Sequence, residues 1–398
     1  LEIAETIGSS RIGPARRGGS SVSLRTRICD IFEIEYPIVL AGMGGASTPA
    51  LAAAVSNAGG LGILGAAACS PEMLRRWIRE VRELTDKPFG VDTLLPASVR
   101  RETFKQADGP SPAELIPEYQ KFAAEFMEVE KLTKASMQEM AREVGIDPNE
   151  KSGPPMFSKE FFNAQMDVIV EERVPVYAAG LGNPGPWMDR FRKNGTKVMA
   201  VVGAVRHARQ VAASGIDVIV AQGHDGGGHN SPVGTMALIP QVVDAVDGIA
   251  VLGAGGITDG RGVAAAMMLG AEGAWVGSAF LATEEAGILD FQKQAIVDSN
   301  EENTTVSRSV TGKPARVIKS KWSQAWVDGP LEPLPMPFQP MIAMPVLAAA
   351  SAAKRGDIAP GFAGQGIGMI DAVRPAKDVF ASLVAGAEKA LEGAARKT

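Results

Sequence analysis

At 398 residues, with 45% apolar and 21% charged side chains, the chain has the composition of a folded globular protein, which excludes a disordered one. A formal net charge of -5 excludes a surface built for nucleic acid, and no apolar run approaches the roughly 18 residues of a bilayer span, so no membrane partner is expected. Cys29 and Cys69 are too few for a disulfide framework and fit a reducing, cytoplasmic setting.

Residues 1–25 mix Gly, Ser and Arg without an apolar signal-peptide core, and Glu2 and Glu5 go against a transit peptide, so they read as a flexible tail. Residues 37–43 (PIVLAGM) form a buried strand closed by glycines, and Ser47 or Thr48 followed by Pro49 starts a helix. Residues 61–65, 71–85 and 89–94 continue as strand, helix and strand, which predicts a parallel sheet with helical crossovers. Residues 97–167 interrupt this rhythm with helical periodicity, abundant Glu, Lys, Gln and Met, and no strand candidate. The segment reads as a helical insertion after strand 3, its charges solvating an outer face. Strands resume at 174–178, 197–202, 217–221, 250–253 and 273–277, with helices near 186–193, 205–213, 237–246 and 260–269. Eight strands close a (β/α)8 TIM barrel, here α/β over residues 26–282, with working loops at the strand C-terminal ends. Residues 283–360 read as a small lid-like subdomain of helices and irregular pieces, and 361–398 as a segment returning to the barrel.

The stretch with most chemistry is 216–229 (IDVIVAQGHDGGGH), a buried strand running into a glycine-rich loop that must approach something closely. Two of the three histidines, His224 and His229, sit in it. His229, at the loop's end, points at a ligand over the barrel mouth and could take a proton from a carbon acid. His207 lies on a helix between arginines and reads as a surface residue. Glycine-rich turns after strand 7 (GAGGI, 253–257) and strand 8 (GSAF, 277–280) fall where barrels hold a phosphate, which points to a phosphate-bearing cofactor. Neither a Walker loop nor an early GxGxxG is present, so ATP and a Rossmann cofactor are disfavoured. His224, Asp225 and His229 are neighbours, but one loop rarely supplies a closed metal site, and no metal is expected.

These motifs resemble a known family. AQGHDGGGH at 221–229, AGMGG at 41–45, GVDTLLP at 90–96, GAGGI, GSAF, TGKPAR at 311–316 and AGQGIGMI at 363–370 are similar to segments of the nitronate monooxygenases, once called 2-nitropropane dioxygenases. The resemblance spans the chain from about Thr26, leaving out the tail and the insertion. It implies an FMN-dependent barrel oxidising alkyl nitronates or nitroalkanes with O2. Ala41, Gly42 and Met43 would then lie against the flavin ring, and Asp92 and Gln222 would bond its polar edge. Gly227 and Gly228 would line the nearby loop, Gly255, Gly256, Gly277 and Ser278 would hold the phosphate, and Gln365 would close over the site. His229 takes the family's catalytic place, as base or as the group that positions a nitronate. Asp225 stands where Glu is usual, Gly226 where Ala is usual, Asp92 where Asn is frequent, and Gly42 where Pro is common; His224 is an addition.

Flavin-dependent enoyl-acyl carrier protein reductases share this barrel, loop and FMN site, and would use NAD(P)H in place of O2. Arg75, Arg76, Arg79 and Arg82, spaced along one helix, could then dock an acidic carrier. A barrel that binds without turnover is a third reading, since fold alone does not fix function. A small-molecule substrate is common to the first two, and the insertion could serve a homodimer contact or a lid.

Overall fold

The computed structural model describes residues 23–95, 112–133, 154 and 158–396. Most of the predicted tail and much of the 97–167 insertion lie outside the described residues. In chain order the first half runs α1 (Arg27–Phe32), β1 (Ile38–Leu40), α2 (Pro49–Asn57), β2 (Gly62–Gly65), α3 (Pro71–Leu84), β3 (Phe89–Leu94), α4 (Pro112–Val129), α5 (Lys159–Glu171), β4 (Val176–Leu181), α6 (Met188–Asn194), β5 (Lys197–Val202), α7 (Val205–Ala212) and β6 (Val218–Gln222). The second half runs β7 (Gly228–His229), α8 (Thr235–Ala245), β8 (Ala250–Ala254), α9 (Gly260–Met268), β9 (Ala274–Val276), α10 (Asp290–Val297), β10 (Thr304–Ser307), β11 (Ala315–Ile318), α11 (Lys321–Asp328), α12 (Phe338–Ala352) and α13 (Ala376–Ala395).

Eight strands form one parallel sheet in the order β1-β9-β8-β6-β5-β4-β3-β2. A bridge between Val39 and Leu61 joins β1 to β2, so the sheet closes on itself as the (β/α)8 barrel expected from the alternation. Period-two alternation divides each strand between two cores. Val39, Ile63, Met199, Val218, Val220 and Leu252 point into the barrel, while Ile38, Leu64, Val198, Ile219 and Val276 face the helical ring. Ile28, Cys29 and Phe32 of α1 pack into the interior cluster. Leu24 is itself buried in the outer core, so the end of the expected tail belongs to the barrel.

Serine side chains cap two of the ring helices. The Ser70 hydroxyl accepts from Met73 N–H at α3, and Ser158 from Phe161 N–H at α5. Helix α3 buries Met73, Leu74, Ile78 and Val81 on one face. Its other face does not offer a free basic patch. Arg75, Arg79 and Arg82 converge on Glu172 of the turn after α5, and Arg75 also reaches Glu171. Helix α5 follows β3 and precedes β4, and it buries Phe161, Phe162, Met166 and Ile169, so the end of the 97–167 segment supplies a ring helix.

The rest of that segment's described part, α4, does not stand apart as a solvated helix. Tyr119, Ala123 and Met127 pack with Trp322, Trp326, Ile342 and Val346 of α11 and α12 in a separate apolar cluster. Phe122 meets Trp326 at 4.9 Å and Phe126 meets Trp322 at 5.1 Å between ring centroids. Helix α11 itself, capped by Ser320, is absent from the sequence-derived outline. The subdomain also carries β10 and β11, and β11 pairs antiparallel with β7, Ala315 opposite His229 and Arg316 opposite Gly228. The loop read as a glycine-rich connection is therefore strapped at its end to the subdomain by a short ladder.

Candidate active site

A cavity of about 910 Å³ opens at the C-terminal ends of the barrel strands, between them and the subdomain. Its wall includes Ala41, Gly42, Met43, Asp92, Gln222, Gly227, Gly228, His229, Gly255, Gly256, Gly277 and Ser278. Residues that the resemblance assigned to one site thus line one cavity. Gln365 is the exception among the expected site residues. Its side chain is exposed and lies outside the cavity wall, and only its backbone N–H engages the site, donating to Asp225 O at 2.9 Å. Next to it, Gly364 N–H donates to Ser278 Oγ at 2.8 Å, which ties this stretch of chain to the turn after β9.

Asp92 lies within β3, opposite Gly65 of β2 and Ala178 of β4. The carboxyl is wedged between two backbones: a Cβ on Gly180 would come within 2.5 Å of Asp92 Oδ1, and a Cβ on Gly42 would overlap the Asp92 side chain. This close approach explains why glycine, not proline, stands at position 42. Burial drives the Asp92 carboxyl well above the ordinary carboxylate range, and one hydrogen bond from Gly180 N–H opposes that only partly. The shift favours the protonated form, which can donate a hydrogen bond as well as accept one.

The loop after β6 is fixed from several sides. Gln222 Nε2 donates to His229 O at 2.8 Å and spans the loop's two ends. The Asp225 carboxylate accepts from Thr235 N–H at 2.9 Å, at the first turn of α8, where negative charge is favoured. His224 Nδ1 lies 3.0 Å from Ser231 O, and His224 O receives Arg316 Nη2 at 3.0 Å and Nε at 3.2 Å. Asp225 and His224 are thus occupied in folding the loop, and neither belongs to the cavity wall. Among the described residues no group of three or more His, Cys, Asp and Glu side chains is placed to hold a metal ion.

His229 is mostly buried at the cavity wall, and its Nε2 lies 2.9 Å from Thr311 Oγ1. Burial, with the charge of Lys313 nearby, lowers its pKa to about 4, so the imidazole is neutral at pH 7. Thr311 and Lys313 also line the cavity, on the loop before β11. That loop is held by the subdomain, where Trp322 Nε1 and Gln339 Nε2 both donate to Ser309 O, at 3.1 and 2.8 Å. Thr311 and Lys313 lie within TGKPAR, noted in the sequence with no residue of it assigned a role. Nothing in local periodicity signals that the motif folds back against His229.

The wall suits a flat, phosphate-bearing cofactor such as a flavin nucleotide. Backbone from glycine-rich turns forms one side, and the Asp92 carboxyl and the Gln222 amide offer polar atoms beside it. At the far end, Gly255 and Gly256 after β8 meet the short helix Ser278–Phe280 after β9, the barrel position suited to a phosphate. Gly255 has φ +103°, and a Cβ there would come within 2.7 Å of Thr235 Oγ1, so only glycine fits this turn.

Comparison with known proteins agrees with this geometry. The nitronate monooxygenase family model matches residues 25–386. A Mycobacterium tuberculosis protein, Rv1533, provisionally named a monooxygenase, is 38% identical over 375 residues, covering 91% of this chain and 96% of that protein. A Staphylococcus saprophyticus protein provisionally named nitronate monooxygenase is 35% identical, over 76% of this chain and 80% of its own length. Among solved structures, nitroalkane oxidase from Streptomyces ansochromogenes superposes with a TM-score of 0.74 at 30% identity, covering 92% of this chain and 99% of its own. FabK from Thermotoga maritima does so with a TM-score of 0.70 at 31% identity, covering 94% and 99%. The family match runs through the barrel, the glycine-rich loop and His229, and the chain belongs to the nitronate monooxygenase family, as a flavin-dependent oxidoreductase.

Proposed function

We propose that the protein is an FMN-dependent nitronate monooxygenase that takes preformed alkyl nitronates and uses O2 as acceptor. The observation that carries this reading is the neutral His229 beside Lys313 on the cavity wall. A lysine charge next to an uncharged imidazole attracts an anion. The same arrangement makes the imidazole a weak proton acceptor toward a neutral carbon acid, because driving force falls with the base's pKa. A nitronate arrives already deprotonated and needs no such step. Its negative charge offsets the repulsion from Lys313, so His229 binds a proton more readily once the substrate is seated. Thr311 holds the ring's orientation through Nε2 and leaves Nδ1 as a second polar atom. Gly255, Gly256, Gly277 and Ser278 would hold the FMN phosphate, and Asp92 with Gln222 would bond the ring's polar edge. When bound, the flavin would carry electrons from substrate to oxygen.

The test is a comparison of kcat/KM at pH 7 on a nitronate and on its neutral nitroalkane. The nitronate should be preferred by at least about 10²-fold, the scale that a competent general base would otherwise contribute. Equal turnover of both forms would show that His229 or another group removes the proton efficiently, and would overturn this reading. A second reading, a nicotinamide-dependent reductase of enoyl thioesters, is favoured by Met344 and Leu347 of α12 and by Phe362, apolar residues that also line the cavity. The pairing of Arg75, Arg79 and Arg82 with Glu171 and Glu172 weighs against the acidic-carrier dock it needs.

A further inference from the structure

The cavity is chemically divided. Among the described residues that line it, the ionisable side chains are Asp92, His229 and Lys313, placed on β3, on β7 and on the loop before β11. The wall made by α11, α12 and residues 358–362 presents Met344, Leu347 and Phe362 over the fully buried Trp322 and Ile358, with Ser323 and Ser351 as its uncharged polar side chains. Trp322 is 1% exposed and is wedged by Phe126 of the insertion helix, so this wall is rigidly backed. Met344 and Phe362, at 38% and 39% exposure, stand where that wall meets solvent.

A two- or three-carbon substrate seated at His229 would leave this wall bare. We infer that the apolar wall is a chain-binding arm, and that the preferred substrates are anions carrying a long unbranched alkyl chain. The head would sit at His229, Thr311 and Lys313, and the chain would run along Leu347 toward the exposed Met344 and Phe362. The inference rests on the nitronate reading for the head group, while the arm itself stands on the distribution of charge in the wall. It also gives the insertion a role: α4 backs Trp322, and so shapes the arm without touching the reacting end.

The experiment uses the flavin-loaded enzyme and two homologous series. Unbranched alkyl carboxylates from two to ten carbons mimic the anionic head but cannot be oxidised, and their binding is read by quenching of tryptophan fluorescence. Affinity should rise about fourfold per methylene over several methylenes, the factor that corresponds to burying one methylene. Primary alkyl nitronates of the same lengths should show a parallel rise in kcat/KM. Leu347→Trp, which fills the arm, should lower the decanoate-to-propionate affinity ratio at least tenfold. Met344→Trp, at a half-exposed position that tolerates bulk, gives the same readout if the first variant does not fold. Carboxylate affinity independent of length, with nitronates still turned over, overturns the arm alone. A steep carboxylate series with no nitronate turnover keeps the arm and overturns the nitronate reading.

Discussion

Acidifying the protein should expose His229 directly. In the folded chain burial and Lys313 lower the imidazole from its usual 6.5 to about 4, whereas the unfolded chain titrates normally. Between these values the unfolded state binds more protons than the native state, so stability falls as pH drops from about 6.5 toward 4 and is fully present above 6.5. From pH 8 to pH 4.5 this single group costs the native state about 2.5 kcal/mol, an upper figure for a side chain that keeps some contact with water. Urea unfolding of wild type and of His229→Asn at both pH values isolates it, because the remaining groups cancel in the difference. Wild type should lose roughly 2 kcal/mol more than the variant on acidification. With only three histidines in the chain, proton NMR of the imidazoles gives an independent check. Equal losses in the two proteins, or an imidazole resonance assigned to His229 that titrates near 6.5, would refute the buried neutral state and the anion preference drawn from it.

Thr311→Val should retain flavin and lower kcat/KM on nitronates about tenfold, the equivalent of one hydrogen bond in the transition state; unchanged steady-state kinetics would remove Thr311 as a positioning residue. Asp92→Asn keeps shape without the acid. Because the folded Asp92 carboxyl titrates above its unfolded value, its burial costs more stability as pH rises past the ordinary carboxylate range. Thermal unfolding of Asp92→Asn should therefore match or exceed wild type at pH 8 and lose that advantage at pH 4; a variant less stable at both pH values would show that a carboxylate is required. Gly255→Ala forces a side chain into φ +103° and against Thr235, and should cost about 1–3 kcal/mol together with a weaker flavin titration. Wild-type FMN affinity in that variant would remove the turn from the cofactor site.

Much of the barrel was legible because its strands are short apolar runs with glycine at their ends and capped helices between them. Val218–Gln222 and Ala250–Ala254 announce themselves in this way, and so do the loops they feed. The site's glycines were legible for the same reason, since each ends a strand and closed-barrel geometry gathers strand ends. What local pattern could not convey was contact between distant segments. The pairing of β7 with β11 joins residues 228–229 to 315–316, and two-residue ladders leave no periodic trace. Tyr119, Phe122 and Phe126 read as one stripe of a charged helix until α11 supplies Trp322 and Trp326 to cover them. The hydrogen bond from Gln365 N–H to Asp225 O likewise joins segments that no local pattern links. The Glu171–Glu172 pair that neutralises the α3 arginines lies about ninety residues downstream, beyond any helical spacing rule.

The most direct test of the proposed chemistry is anaerobic stopped-flow absorbance of the flavin-loaded protein, mixed separately with an alkyl nitronate, NADH and NADPH. Rapid loss of the oxidised flavin band with the nitronate, and indifference to both nicotinamides, is the expected result. Rapid reduction by NADH or NADPH, reversed by an enoyl thioester and absent with the nitronate, would contradict it.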